Sequence, residues 1–338
     1  MFLCLFPEIA PPSFTVAGAG AMAPFANFVT REIAGHRRRV HSVAWSCTGR
    51  KLASGSVDQT ARVYDVEHGL HSGRDIELKG HTDSVDQMAW DPTSPDRLAT
   101  VSADKTLRLW DTKSGGRPVA TVPLTDENIN VCWSPDGSQL AVGNRDDVFA
   151  FVDAKTHKLL RTTPKFGYQV NDACWNRKGD RFYLTTADGV VQCLHFPTMK
   201  PLHQMRGHTS SVYAMARDPV HDRLAFGGAD AMATVWDCDD CVCTTVVDRL
   251  QAPVRAVSFS FDGKFLASAG DDDSVDVADV DVESGTGERV AQIATRGGTV
   301  STLKWSPTHH VLAFAGDSRG DRGKEGCVSV WSAGSRRE

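Results

Sequence analysis

No run of about 18 apolar residues occurs in this 338-residue chain, so no segment is long and apolar enough to cross a bilayer as a helix. Neither sign of charge dominates. Lys and Arg number 37 against 42 Asp and Glu, a net charge of −5, which is not the signature of a protein that coats nucleic acid. G-x-S-x-G and the Walker phosphate loop are both missing, and the Gly-rich piece Ala17 to Ala23 does not lie between a strand and a helix, so neither a catalytic residue nor a cofactor is expected. Asn-x-Ser/Thr acceptors are absent. The nine cysteines are odd in number and scattered through strand-like segments (Cys132, Cys174, Cys193, Cys327), which implies a reducing compartment rather than a disulfide framework. Met1 to Ala21 has no Lys or Arg and is interrupted by Pro7, Pro11 and Pro12, which disfavours a secretory signal or an Arg-rich transit peptide. Residues 1–24 are expected to be a disordered tail, with Met22 a candidate start, and residues 334–338 a short C-terminal tail.

What the chain does have is a repeat. A Val-x-x-x-x-aromatic pattern, with one position allowed to drift, ends at Trp45, Trp90, Trp133, Trp175, Arg217, Phe259 and Trp305, at separations of 45, 43, 42, 42, 42 and 46 residues. That period is the length of a four-stranded propeller blade, about 40 to 45 residues. Each unit continues with a turn, a short apolar run such as KLASGS or QLAVGN, an acidic turn residue, and a second apolar run such as TLRLWD. Period-two alternation between Gly, Pro, Asp and Asn reads as short antiparallel strands, with no helical period competing. The acidic turn residue falls at Asp58, Asp104, Asp146, Asp188, Asp230, Asp272 and Asp317.

The unit from Gly80 to Asp111 opens on Gly-His and closes on Trp-Asp. There His81, Thr100, Asp104 and Trp110 are placed to form a buried chain of hydrogen bonds, the carboxylate fixing the histidine tautomer and the indole N–H finding an acceptor. The first unit carries His36, Ser54, Asp58 and Tyr64, and the fifth His208, Asp230 and Trp236 with Phe226 where a hydroxyl would sit. At the Gly-His position the third, fourth, sixth and seventh units have Pro123-Leu124, Lys165-Phe166, Arg249-Leu250 and Thr295-Arg296, so packing is expected to hold them.

Two clusters invite a metal reading. Cys238, Cys241 and Cys243 form C-x-x-C-x-C, but zinc needs a fourth ligand and no matching cysteine pair exists, so turn and strand are expected. The run Asp271-Asp272-Asp273 with Asp276, Asp279 and Asp281 fails as a calcium loop because Asp276 stands where such a loop needs Gly. Its alternation with Val275, Val277 and Val280 suggests acidic side chains facing solvent, the sharper alternative being an acidic docking patch. No metal ligand is therefore expected. The loops carrying Gly-His and the acidic turn residue share one rim of such a ring, which gathers Arg37, Arg38, Arg39, Asp83, Asp126, Glu127, Arg145 and Asp271 as candidate partner-binding residues. The last unit adds a polar, Gly-rich loop, Ser318 to Gly326.

From about Asn27 to Trp331 these repeats resemble the WD40 family. The resemblance implies an all-β, seven-bladed propeller over residues 25–333, closed by a strand near Asn27 to Ile33 that completes a last blade running from Thr299 to Trp331. Closure would remove exposed sheet edges. REIAGHRRRVHSVAW, the unit from Gly80 to Asp111, Glu127 to Lys158 and Pro253 to Val280 resemble, more narrowly, the subunit 3 family of the THO complex. Most telling is the third segment, which runs Val-Gly-Asn-Arg-Asp-Asp-Val and closes on Phe151 to His157 instead of Trp-Asp. That resemblance implies a non-catalytic scaffold in the nucleus, in the THO and transcription-export assembly that packages and exports messenger RNA. Its partners would be the other THO subunits, chiefly the large helical scaffold subunit, with the RNA helicase and export adaptor reached indirectly and RNA touched indirectly or weakly. Competing readings are a WD40 substrate receptor of a ubiquitin ligase, a chromatin peptide reader, and a direct RNA binder.

Overall fold

The computed structural model describes residues 24–67, 69–283, 285–295, 298–317 and 326–334. The expected N-terminal tail up to residue 23, most of the loop after Asp317 and the last four residues lie outside that set. Among the described residues, twenty-eight strands form seven antiparallel sheets of four, each a blade, arranged about a central channel. The only helical turn among the described residues is Thr112–Ser114.

The innermost strands are Val40–Trp45, Val85–Trp90, Asn128–Trp133, Val170–Trp175, Val212–Arg217, Val254–Phe259 and Thr299–Trp305. Each ends on one of the seven anchors found in the sequence. The second strand of a blade is covered on both faces, which is why runs such as Lys51–Ser56, Arg97–Ser102 and Gln139–Asn144 are buried from their second residue on and use Ser, Thr and Gly beside Leu, Ala and Val. The outermost strands, such as Lys200–Arg206, are mostly exposed. The core is split into clusters that lie between blades. One joins Ala99, Leu107 and Val122 of blade two to Val131, Leu140 and Val152 of blade three.

Blade seven is shared between the two ends of the chain. Phe28–Ala34 pairs antiparallel with Cys327–Ala333, from Phe28 opposite Ala333 to Ala34 opposite Cys327. Phe25, just before that strand, is buried against Phe265, Trp305 and Trp331, with ring centroids 5.0, 6.1 and 5.0 Å away.

Candidate functional site

Every innermost strand slips register by one residue near its start, leaving His41, Asp86, Ile129, Asn171, Tyr213, Arg255 and Ser301 unpaired with the second strand. A β-bulge re-aims a side chain, and six of these seven line the upper part of the central channel, a cavity of about 670 Å³. Tyr213 and Arg255 stack, the guanidinium 4.2 Å from the ring centroid, and Arg255 is also 3.1 Å from Asp271. Asp86 accepts from Ser84 Oγ at 2.7 Å through one oxygen while its other is buried without a partner. Burial pushes its pKa up. Lower down, the residue before each anchor is small (Ala44, Ala89, Cys132, Cys174, Ala216, Ser258) except in blade seven, where it is Lys304.

The rim loops are fastened to their blades by three polar chains. In blade two the indole N–H of Trp110 donates to Thr100 Oγ1 at 2.8 Å, Thr100 lies 2.8 Å from His81 Nε2, and His81 Nδ1 lies 2.8 Å from Asp104. A carboxylate can only accept, so Nδ1 carries the proton and Nε2 takes the threonine hydroxyl's. The second Asp104 oxygen takes Thr106 N–H and Oγ1–H at 2.9 and 2.7 Å, while the first also takes Thr82 N–H. Burial lowers the His81 pKa against the pull of Asp104. For Asp104 burial works upward, but the bonds from Thr106 and His81 outweigh it and hold the pKa below the usual carboxylate range. Blade one repeats the arrangement, with His36 3.0 Å from Asp58 and 2.7 Å from Ser54, whose Oγ lies 3.3 Å from the Tyr64 hydroxyl. Asp58 is likewise low: burial raises it, and His36, Thr60 and the Arg37 N–H more than reverse that.

Blade five reaches the same end by a different residue. His208 Nδ1 lies 3.0 Å from Asp230, but His208 Nε2 and Trp236 Nε1 both meet Thr234 Oγ1, at 3.0 and 2.9 Å. Thr234 stands directly across from Phe226 on the neighbouring strand. The sequence reading missed it; the visible signal is a threonine where blades one and two carry Arg62 and Arg108. The glycine before each of these histidines also has its reason. A Cβ on Gly35 would meet the Tyr64 hydroxyl at 2.9 Å and one on Gly207 would meet the Trp236 ring at 2.5 Å.

Blade six overturns two expectations. Its strand Ser274–Asp279 does not turn Asp276 to solvent, because that carboxylate is fully buried. Arg249 grips it with Nε and Nη2 at 3.2 and 2.6 Å, and Arg289 Nε adds a third contact at 2.5 Å. Desolvating a carboxylate is tolerable only with such partners, so this blade is held by an ion cluster as well as by packing. Asp272 still holds its loop, accepting Gln251 and Ala252 N–H at 2.8 and 3.1 Å. In blade three Asp146 is exposed, and Asn144 Oδ1 takes the turn N–H groups of Asp146 and Val148. Asp147 instead accepts Val170 N–H of blade four at 2.8 Å. Asp188 is exposed, and Asp317 ends a strand 3.1 Å from Arg39.

The candidate rim residues divide into paired and unpaired sets. Arg39 meets Asp317, Arg145 meets Glu127 at 2.7 Å, Asp126 meets Lys105 at 3.3 Å, and Asp271 meets Arg255. Arg37, Arg38 and Asp83 are exposed and make no ion pair among the described residues. The C-x-x-C-x-C segment is a turn and an edge strand: Cys238 is buried in an apolar cluster that Cys241 and Cys243 flank, and burial raises all three thiol pKa values. No group of three or more His, Cys, Asp or Glu among the described residues is arranged to hold a metal.

Contacts between blades were invisible to repeat spacing alone. Indole N–H groups of Trp45, Trp90 and Trp133 donate to Lys304, Ala44 and Ala89 carbonyls of the preceding blade at 2.9, 3.0 and 2.9 Å. At the lower edge, Arg97, Arg181 and Arg223 each reach a carbonyl 57 residues further on, Ala154, Cys238 and Val280, at 2.7, 2.9 and 2.7 Å. A cation opening the second strand is the sequence signal for these latches.

Seven blades, bulged inner strands and Asp-His-hydroxyl-Trp chains define a WD-repeat β-propeller. Within that class, residues 36–315 match the THOC3 beta-propeller domain. THO complex subunit 3 of Arabidopsis thaliana is 46% identical over 297 residues, covering 88% of this chain and 92% of that protein. WD repeat-containing protein AAC3 of Dictyostelium discoideum is 32% identical across 86% of this chain and 64% of its own length. The Poly(A)+ RNA export protein of Schizosaccharomyces pombe is 29% identical over 60% of each. This chain belongs to the THOC3 β-propeller family.

Proposed function

We propose that this propeller is a non-catalytic scaffold subunit of a THO complex, acting in the nucleus in messenger RNA packaging and export. The observation that carries the reading is the extent of the family match, which runs from the first fastening histidine, His36, to the last blade. The relatives' names supply the assembly and the process. A scaffold role accords with polar side chains that are consumed by fastening loops to blades, leaving the upper rim and the bulge ring as surface. Of the candidate rim residues, Arg37, Arg38 and Asp83 make no ion pair among the described residues and can meet a partner, and the bulge ring around Tyr213 and Arg255 continues that surface into the channel. In this proposal the large helical THO subunit would be the chief partner of this face. Helicase, export adaptor and RNA would be held by the assembly rather than by this ring.

Affinity purification of the tagged protein from nuclear extract, with and without ribonuclease, tests this. THO subunits should co-purify regardless of nuclease, and Arg37→Glu with Arg38→Glu should reduce their recovery. Loss of every partner with ribonuclease would instead mark a direct RNA binder. Recovery of cullin-ligase or histone-modifying components would mark a substrate receptor or peptide reader.

A further inference from the structure

At the lower end of the channel two cations make no ion pair among the described residues. Arg217, in blade five, occupies the anchor position that is aromatic in the other six blades, and Lys304, in blade seven, takes the place that is small in blades one to six. Both are exposed although their neighbours Ala216, Asp218, Leu303 and Trp305 are buried, and both line the channel. Neither side chain makes a hydrogen bond or ion pair among the described residues. The acids that follow the inner strands are already engaged: Asp218 with Arg223 Nε at 2.8 Å and Asp91 with Arg97 at 3.1 Å within their own turns, and Asp262 with His310 of blade seven at 3.0 Å. Asp172, higher in the lumen, is bonded to the Ala173 and Met215 N–H groups at 2.9 and 3.0 Å.

The two cations act on the same space. Lys304, on blade seven, is felt by Asp172 and Cys174 on blade four across the ring, and Arg217, on blade five, by Cys132 and Cys174. Small side chains at Ala44, Ala89 and Ala216 leave that space open. Two unpaired cations converging on a partly enclosed lumen raise the local concentration of anions, and a guanidinium supplies the planar donor fork that phosphate oxygens fit.

We propose that the lower mouth of the channel is a binding site for a compact anion carrying at least two phosphate charges, held by Arg217 from one side and Lys304 from the other. Bound there, the anion would bridge blades five and seven across the lumen. This site is independent of the partner surface on the opposite rim.

Calorimetric titration of the full chain with inorganic pyrophosphate tests it, together with a thermal-shift series. Saturable 1:1 binding that weakens with salt is expected, with a rise in Tm because the ligand binds only the folded ring. Lys304→Gln and Arg217→Trp should each weaken binding about tenfold or more. Arg217→Trp restores the residue of the repeat and so keeps the fold. Lys178→Gln, an exposed cation outside the lumen, should leave binding unchanged. No binding at millimolar pyrophosphate, or binding that both lumen variants leave intact, overturns the site. Phosphoserine binding as tightly as pyrophosphate overturns the two-phosphate assignment.

Discussion

Blades two and six fasten the same rim loop to the same pair of strands with opposite chemistry. In blade two the fastening is a chain of neutral groups ending on one carboxylate, with the histidine held uncharged by burial. Blade six has Leu250 where the histidine would be and Ala278 where the tryptophan would be, and it fills the space with Arg249, Asp276 and Arg289. Both keep the turn aspartate on the loop N–H groups, Asp104 on Thr82 and Asp272 on Gln251 and Ala252. The comparison teaches that the turn aspartate is the shared part, while the group that fills the cavity behind it can be neutral or ionic provided every buried charge finds a partner.

Breaking blade six should have the larger effect. Asp276→Ala leaves the partly buried Arg249 and Arg289 guanidinium groups without the buried anion they share, and a loss of about 3 kcal/mol in urea unfolding is expected. Next comes Asp104→Ala in blade two, which strands His81 and the Thr82 N–H at about 1 to 3 kcal/mol. Unchanged unfolding in that variant would remove the fastening role. Thr234→Val in blade five should cost about 1 to 2 kcal/mol, since it leaves both His208 and Trp236 short of a partner.

Acid separates the two chemistries more gently. The folded pKa of His81 lies below its ordinary 6.5, so the unfolded chain takes the proton first and the stability contributed is present above that value and lost as pH falls through the folded one. Asp104 extends the loss to pH values below its ordinary 3.8. The blade six fastening contains no histidine. Amide exchange between pH 7 and 5, corrected for intrinsic rate, should therefore show protection falling at Thr82 and holding at Gln251 and Ala252. Equal loss at both loops would erase the distinction. Smallest of all should be Glu127→Gln on the rim, about 0.5 kcal/mol or less, because its pair with Arg145 is exposed.

The ring was legible because its anchors end the seven innermost strands and recur at nearly constant spacing, which period-two patterning and turn residues then subdivide. The closing strand near Asn27 to Ile33 was legible for the same reason, since the last unit lacked a fourth strand. Thr234 was not, because a hydroxyl can enter the same cavity from either of two facing strands and only the fold says which. Asp276 was misread because alternation with valines tells which side of a strand a residue is on, not whether an adjacent loop covers that side. The latches from Arg97, Arg181 and Arg223 join residues 57 apart, a distance that belongs to the neighbour relation between blades and to no single repeat.

Pairing of Phe28–Ala34 with Cys327–Ala333, reinforced by the Gly334 N–H on the Asn27 carbonyl at 2.7 Å, sets a condition on biogenesis. The strand synthesised first completes the sheet synthesised last, so on the ribosome six blades can assemble in order while the seventh waits for Cys327 to Ala333 to emerge. Closing a loop of some 300 residues costs about 5 kcal/mol of chain entropy if it were met in one step. Blades that stack as they emerge shorten the gap before the ends meet. A nascent chain cut before Cys327 would therefore be a nearly complete open arc in which Phe28–Ala34 and Leu312–Asp317 lack the strand that joins them, a natural substrate for quality control.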